Sequence, residues 1–584
     1  VHHGRRARLA HGRPDARGEP PGRGLADPPS LSARRLPARP WALALHPLGL
    51  GALSGLLALA LLAWAPPGPD TPAHLYQIAE FRSHGFHAWD NLWYGGSYTL
   101  VGYSLLFAPA AAALGLWTVM AASAAAASAS FAGLARRRWP GAWTPAAAAF
   151  ALLAPTPILS GQYPFMLGIG LGMAGLWALQ SRRVAAAVAL LLLCAAASPL
   201  AFVFALVALA GGAVASRGWW RDRRLALGAA GIVLVVLAQL AQQRAFDRSG
   251  ARYPSGWAEA VEIAALCAAG VALCGRIPSQ RVMRWMFAAY AALALVALTV
   301  PSTLGGNSVR LALYMGAPLL LVPMAARRFR PYAAVLPVLA LTLAWQGSYL
   351  VGLARANAKS PAASEAFWRP AVDFAARHGD PGHRVEVVAT TDKWESYRLP
   401  QAGIPIARGW FRQYDWPQNA PLYGSLSRRS YLRWLHDMGV RYVLLPDAHR
   451  DGSARAEALL VHRGGVLPQV ARLPNWTVYE VPHATPIATP ADGARVVALD
   501  SQTVTIRVRR PGDYRLRLTY TPYWRVDGPA CVAAREPWGT ILRARAAGTV
   551  RLAFDMSADG VLDAVLGDDG CLPSRVRTPP RGAT

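Results

Sequence analysis

Lysine is almost absent: Lys359 and Lys393 are the only two among 60 basic residues in a chain of 584. Charge of either sign is scarce, since Asp, Glu, Lys and Arg together make up 16%, yet the balance is one-sided and the formal net charge is +28. In a soluble chain that excess would suggest nucleic acid. With 53% hydrophobic residues and a mean hydropathy of +0.23 it suggests a membrane protein instead, and no nucleic-acid partner is expected. Five cysteines without a CxxC pair argue against a disulfide scaffold, a zinc ribbon and a thioredoxin-like redox site. The composition also excludes disorder, collagen and a coiled coil, since Gly contributes 53 residues and Pro 46. No Walker sequence, no GxGxxG after a strand, no HExxH and no GxSxG stands in a suitable setting, so nucleotide hydrolysis, dinucleotide chemistry, zinc proteolysis and serine hydrolysis lack support. The preference for Arg over Lys, with Ala throughout, matches the coding bias of a GC-rich bacterial genome.

What is present is a series of apolar runs. Residues 1–41 hold nine arginines and no apolar period, and are expected to form a disordered cytoplasmic tail. The first run, from about Trp41 to Ala65, lacks a small-residue cleavage site and reads as an anchor. Ten more follow near 117–135, 143–159, 165–180, 184–198, 199–215, 225–243, 258–274, 285–301, 309–325 and 331–352. The expected fold is a polytopic α-helical membrane protein of about eleven spans over 42–352. With the N-terminus inside, the inward loops carry Arg136–Arg138, Arg182 and Arg183, Arg217 with Arg221, Arg223 and Arg224, then Arg276, Arg281 and Arg284, and finally Arg327, Arg328 and Arg330, as the positive-inside rule asks. The loop 244–257, with Arg244, Arg248 and Arg252, is the one violation, and the stretch 100–115 must then stay on one side. An odd number of spans places everything after Gly352 outside.

That C-terminal part divides in two. Residues 356–482 alternate helical patterns (365–378, 427–438) with buried-strand patterns (384–390, 441–446, 476–482), which predicts an α/β domain. From 490 to 584 short alternating runs separated by Gly, Pro and Asp predict a β-sandwich, in which Cys531 and Cys571 are either paired or two free thiols. Cys194, Cys267 and Cys274 fall in spans and read as small apolar residues.

The chemistry-bearing residues cluster in the first outer loop, 66–99. Asp70 follows the first span and reads as the cap of an amphipathic helix on the outer surface, with Pro72 in its first turn and Gly85 at its end. His74, at i+4, can face the same point. Asp90 is a second carboxylate, able to bind a sugar hydroxyl or a divalent metal such as Mg or Mn, although no metal motif requires one. Trp89, Trp93, Tyr94 and Tyr98 suit sugar stacking and suit an interfacial belt equally well. Arg310 opens the tenth span at its outer end, where a buried charge is costly without a partner and a guanidinium fork suits phosphate; the plainer alternative is that it snorkels. Asn307, one turn earlier, can orient it, while Arg82 would lie on the polar face of the surface helix. Gln162 and Tyr163 sit at the outer end of two spans.

The segments Asp70–Gln77 (DTPAHLYQ), Trp89–Tyr98 (WDNLWYGGSY) and Gly305–Leu311 (GGNSVRL), with a carboxylate just beyond the first span and a large outer C-terminal domain, resemble the C-type (GT-C) glycosyltransferases. The chain looks nearest to bacterial membrane proteins named as related to 6-pyruvoyl-tetrahydropterin synthase or to the YfhO group, over most of residues 42–482. The name implies no pterin chemistry here. The resemblance implies an inverting transfer from a polyprenyl-phosphate-linked sugar to a cell-envelope glycan, lipid or protein acceptor on the outer face of the inner membrane. It would make Asp70 the base, assign Arg310, His74 and Asn307 to the donor phosphate, and assign Asp90, Trp93, Tyr94, Gln162 and Tyr163 to sugar or acceptor. A transporter or flippase for a lipid-linked saccharide, or a non-catalytic scaffold, stands as the alternative.

Overall fold

Each predicted apolar run folds as a helix, and several of these begin on residues that supply what the end of a helix lacks. Pro47 and Pro199 begin Pro47–Trp64 and Pro199–Ala215, where the missing N–H costs nothing. Ser198 accepts from the Ala201 amide at the start of the second, and Asp222 accepts from Arg224 and Leu225 at the start of Arg223–Ala245. The computed structural model describes residues 46–216, 218–246, 252–358, 360–415, 418–463, 465–557, 561 and 571. The expected tail 1–41, Arg217 and Arg248 lie outside the described residues.

Between these ends run Leu116–Arg138, Trp143–Leu153 continued by the 3-10 turn Thr156–Ser160, Tyr163–Gln180 and Val184–Ala197, then Trp257–Cys274, Arg281–Thr299, Arg310–Ala326 and Tyr332–Ala358. Among the described residues eight helices are long and apolar enough to cross a membrane, and Val184–Ala197 and Pro199–Ala215 are shorter apolar helices. The chain is a multi-pass helical membrane protein with a β-rich C-terminal region. The stretch 100–115 forms two short helices, Leu100–Tyr103 and Phe107–Leu114, neither long enough to cross.

Small residues set the helix spacing, since lipid offers apolar side chains no reason to leave it and close backbone contact must supply the attraction. Gly51 and Gly55 of the first helix face Ala121, Ala125 and Ala129, and a Cβ on Gly51 would come within 2.9 Å of the Ala125 carbonyl oxygen. Gly170 meets Ser123 in the same way. Arg223–Ala245 and Tyr332–Ala358 have most of their surface outward, with Leu234, Leu237, Leu341 and Leu343 exposed as on a lipid-facing helix.

Beyond Ala358 the chain alternates helix and strand. β3 (Arg384–Val387), β4 (Val440–Pro446), β6 (Trp476–Glu480) and β5 (Gln469–Leu473) form one sheet in that order, with β3 and β4 parallel and the rest antiparallel. β3 is buried along its length, the pattern of a strand covered on both faces. Two antiparallel four-stranded sheets follow. One holds β12 (Ala530–Ala534), β13 (Thr540–Ala544), β10 (Gly512–Leu516) and β7 (Ala488–Thr489); the other holds β11 (Trp524–Asp527), β14 (Gly548–Phe554), β9 (Thr503–Val508) and β8 (Ala494–Leu499). Cys531 and Cys571 are joined by a disulfide.

The outer loop departs from its predicted place. Its helix, Thr71–His84, is buried from Thr71 to Ala73, at His74 and from Tyr76 to Ile78, and packs against Phe107–Leu114 and Glu395–Gln401. Half its surface is therefore interior, although Arg82 remains exposed. The following strands β1 (Trp89–Asp90) and β2 (Ser97–Tyr98) form a hairpin wedged between the α/β unit and the sandwich. The Asn91 amide donates to Ser501, Ile406 to the Leu92 carbonyl, and Thr519 to the Gly95 carbonyl, at 2.8, 2.9 and 2.7 Å.

Candidate functional site

A cavity of about 390 Å³ lies where one end of the helical bundle meets the α/β unit. Asp70, Tyr103, Gln162, Asn307, Arg310 and Tyr349 line it from the helical side, and Thr391, Lys393, Trp410, Arg412 and Asp451 from the other.

Asp70 is fixed there by the turn that follows Thr156–Ser160. Gly161 adopts φ +76°, and a Cβ on it would fall 2.3 Å from the Thr71 amide; a Cβ on Gly68 would fall 2.3 Å from Ser160. Only glycine permits this approach. The Asp70 amide donates to Ser160 at 3.0 Å, and the Thr71 and Tyr163 hydroxyls lie 3.0 Å apart. The Asp70 side chain makes no capping bond to its helix, which corrects the sequence reading. It turns away and accepts a hydrogen bond from the Trp410 indole at 2.7 Å. Burial pushes its carboxyl above the ordinary carboxylate value, opposed by Arg310, the Trp410 bond, Arg412 and Lys393.

Arg310 opens Arg310–Ala326 and stands 5.8 Å over the Phe165 ring. It also lines a second, apolar crevice of about 60 Å³ between Tyr163–Gln180, Pro199–Ala215, Arg281–Thr299 and its own helix. The lining residues run from Phe165 to Leu176 on one helix and from Arg310 to Leu319 on another, so the crevice descends roughly 13–17 Å along the bundle from the arginine. The Tyr314 hydroxyl donates to Gln162 at 3.1 Å, and Asn307 donates to the Thr303 carbonyl at 3.1 Å. Asn307 therefore lies at the cavity wall without orienting Arg310 through its amide.

Other candidates stand elsewhere or act differently. His74 is fully buried against Trp410, Phe107, Tyr103 and Tyr163, with ring centroids 5.0 to 5.9 Å away, and its Nδ1 lies 3.2 Å from Gln77 Oε1. Burial takes its pKa down to about 3, so it brings no positive charge to a phosphate at neutral pH. Asp90 lies outside the cavity. Its carboxylate accepts from the Leu92 amide at 2.8 Å, and burial lifts its pKa to about 7. Trp93 donates to Ser396 at 3.0 Å and stacks near Tyr76, and Tyr94 packs against Tyr414. Both belong to the joint between helical and C-terminal parts, which corrects their assignment to sugar stacking. Tyr163 holds the hydroxyl of Thr71, the residue after Asp70, while Gln162 faces the cavity. Among the described residues no group of three or more His, Cys, Asp and Glu is placed to hold a metal ion.

Lys393, Trp410, Arg412 and Asp451 are among the cavity residues that escaped the sequence reading. Lys393 carried one available signal, its rarity in an arginine-rich chain.

No protein-family model matches the chain, and no curated protein matches it. Among solved structures, a crystal structure of ArnT from Cupriavidus metallidurans in the apo state is similar at 15% identity and a TM-score of 0.34, covering 76% of this chain and 98% of that one.

Proposed function

We propose that the chain is a membrane glycosyltransferase that moves a sugar from a polyprenyl-phosphate donor to a hydroxyl of a cell-envelope acceptor. The observation that carries this reading is the double position of Arg310, which lines both the polar cavity of Asp70 and the apolar crevice between helices. A ligand suited to both has a hydrocarbon tail and an anionic head, and a guanidinium matches phosphate in geometry and charge.

In the transfer the acceptor oxygen attacks the anomeric carbon while its proton passes to an Asp70 oxygen. The bond from the anomeric carbon to the phosphate oxygen breaks, and the polyprenyl phosphate leaves with the electron pair and one further negative charge. Arg310 stabilises that charge as it develops. Burial makes Asp70 a stronger base than an exposed carboxylate, while the three cations and the Trp410 bond favour its ionised form. On this reading the N-terminus faces the cytoplasm, and the cavity and C-terminal region face outward. Purified protein in nanodiscs, given a polyprenyl-phosphate sugar, should bind it with Arg310 intact and lose that binding in Arg310→Ala. Equal binding by both proteins would remove the proposal's support.

A further inference from the structure

Lys393 and Arg412 form a second cationic group at the cavity, on the C-terminal side, and the transfer outlined above gives them no task. Both point at the same oxygen of Asp451, Lys393 Nζ at 3.3 Å, while the other carboxylate oxygen accepts from the Ser453 amide and hydroxyl at 2.9 and 2.6 Å. One carboxylate oxygen thus serves both cations at close range, while Asp70, Glu395 and Asp415 also act on one or both of them electrostatically. The Lys393 side chain is only 12% exposed and lines the cavity, and among the described residues Asp451 is the carboxylate within ion-pair distance of it.

The group is more than a fastening between loops, because the backbone already makes that connection. The Asp451 amide donates to Ala389 at 2.9 Å and the Thr391 amide to His449 at 3.0 Å. Lys393 also adopts φ +59°, a left-handed conformation disfavoured for a residue with a side chain. Its carbonyl is gripped there by the Ser396 amide and hydroxyl at 3.0 and 2.7 Å.

Position separates this group from Arg310. The apolar crevice includes Arg310 but neither Lys393 nor Arg412, whereas those two also line a small recess within the α/β unit, whose other charged residues are Glu386, Glu395, Arg408 and Asp415. Asp70 lines the same cavity and feels all three cations. We propose that Lys393 and Arg412 bind the acid group of the acceptor, so that the acceptor class is a hydroxyl compound bearing a carboxylate or phosphate. This rests on the transferase reading above, which assigns the other end to the donor.

The test uses full-length protein in nanodiscs with saturating polyprenyl-phosphate sugar, titrated calorimetrically with glycerol 3-phosphate, glycerate and, as a neutral control, glycerol. The wild type should bind one or both acids and prefer them to glycerol, the better of the two identifying phosphate or carboxylate. Lys393→Gln/Arg412→Gln should weaken acid binding by about tenfold or more, as expected for lost charge-assisted contacts, and leave donor affinity unchanged. Lys393→Arg should restore it in part. If the double variant does not fold, Lys393→Met, which leaves the Arg412–Asp451 pair in place, gives the same comparison. No preference for the acids over glycerol would overturn the proposal, as would competition between acid and donor with both lost in Arg310→Gln. Donor binding that survives Arg310→Gln would instead sink the donor assignment, while the acid titration still reports on Lys393 and Arg412.

Discussion

Replacing Trp410 by phenylalanine removes one hydrogen bond to Asp70 while keeping an aromatic ring against His74 and Tyr103. The indole donates to Asp70 Oδ1 at 2.7 Å, and its ring sits 5.0 Å from His74 and 5.3 Å from Tyr103. A hydrogen bond to an ionised carboxylate contributes about 1.5–3 kcal/mol, equivalent to roughly one to two pKa units. Burial already raises the Asp70 pKa, and the Trp410 bond opposes that rise. Losing the bond therefore moves the pKa further up. The base works only when ionised, so the acidic limb of the kcat/KM profile should shift to higher pH by about one unit or more. Activity should fall most on the acid side of that limb and approach the wild type above it. The assay is initial-rate transfer from a polyprenyl-phosphate sugar across the acidic range, with fold checked by size-exclusion chromatography. An unmoved limb would refute the reasoning, since it would mean that Asp70 does not titrate in the rate or that Trp410 does not touch its charged form.

Arg310→Lys should lose nearly as much donor affinity as Arg310→Ala, because a point charge does not reproduce the guanidinium fork; full function with lysine would mean that the residue only snorkels. Gly161→Ala combines a left-handed φ of +76° with a Cβ 2.3 Å from the Thr71 amide, so both Tm and turnover should fall, by more than the ~1–2 kcal/mol of the backbone term alone. Wild-type turnover in that variant would show that Asp70 is not positioned by the turn. Cysteines at the exposed positions Ser83 and Gln469 should react with an impermeant thiol reagent in intact cells, and one at Arg221 should not; labelling at Arg221 would reverse the proposed orientation.

Much of this arrangement was legible because it is local. Runs of apolar residues long enough to span a bilayer announce themselves, and so do the short alternating strands after residue 490. Asp70, Gln162, Asn307 and Arg310 could be placed near one another because each sits at the same end of a span. The opposite wall was not legible. Trp410 reaches Asp70 across 340 residues of chain when the α/β unit docks on the helices, and Lys393 and Arg412 converge on Asp451 only through the tertiary fold of that unit. Docking also explains the errors. The aromatic loop 89–98 reads equally as a sugar platform or an interfacial belt when imagined on a surface, but Trp89 stacks on Phe554 and Trp93 bonds to Ser396. His74 reads as a cation until its neighbours are known to be Trp410, Phe107, Tyr103 and Tyr163.

The central claim, that Asp70 takes the acceptor proton, is tested most directly by Asp70→Asn. Asparagine keeps an oxygen to accept the Trp410 N–H, so the cavity and the donor site should persist. Donor binding and turnover are then measured on the same nanodisc sample. The account predicts donor affinity close to the wild type with turnover reduced by about 10²-fold or more, the scale of a lost general base. Near-normal turnover in Asp70→Asn would contradict it.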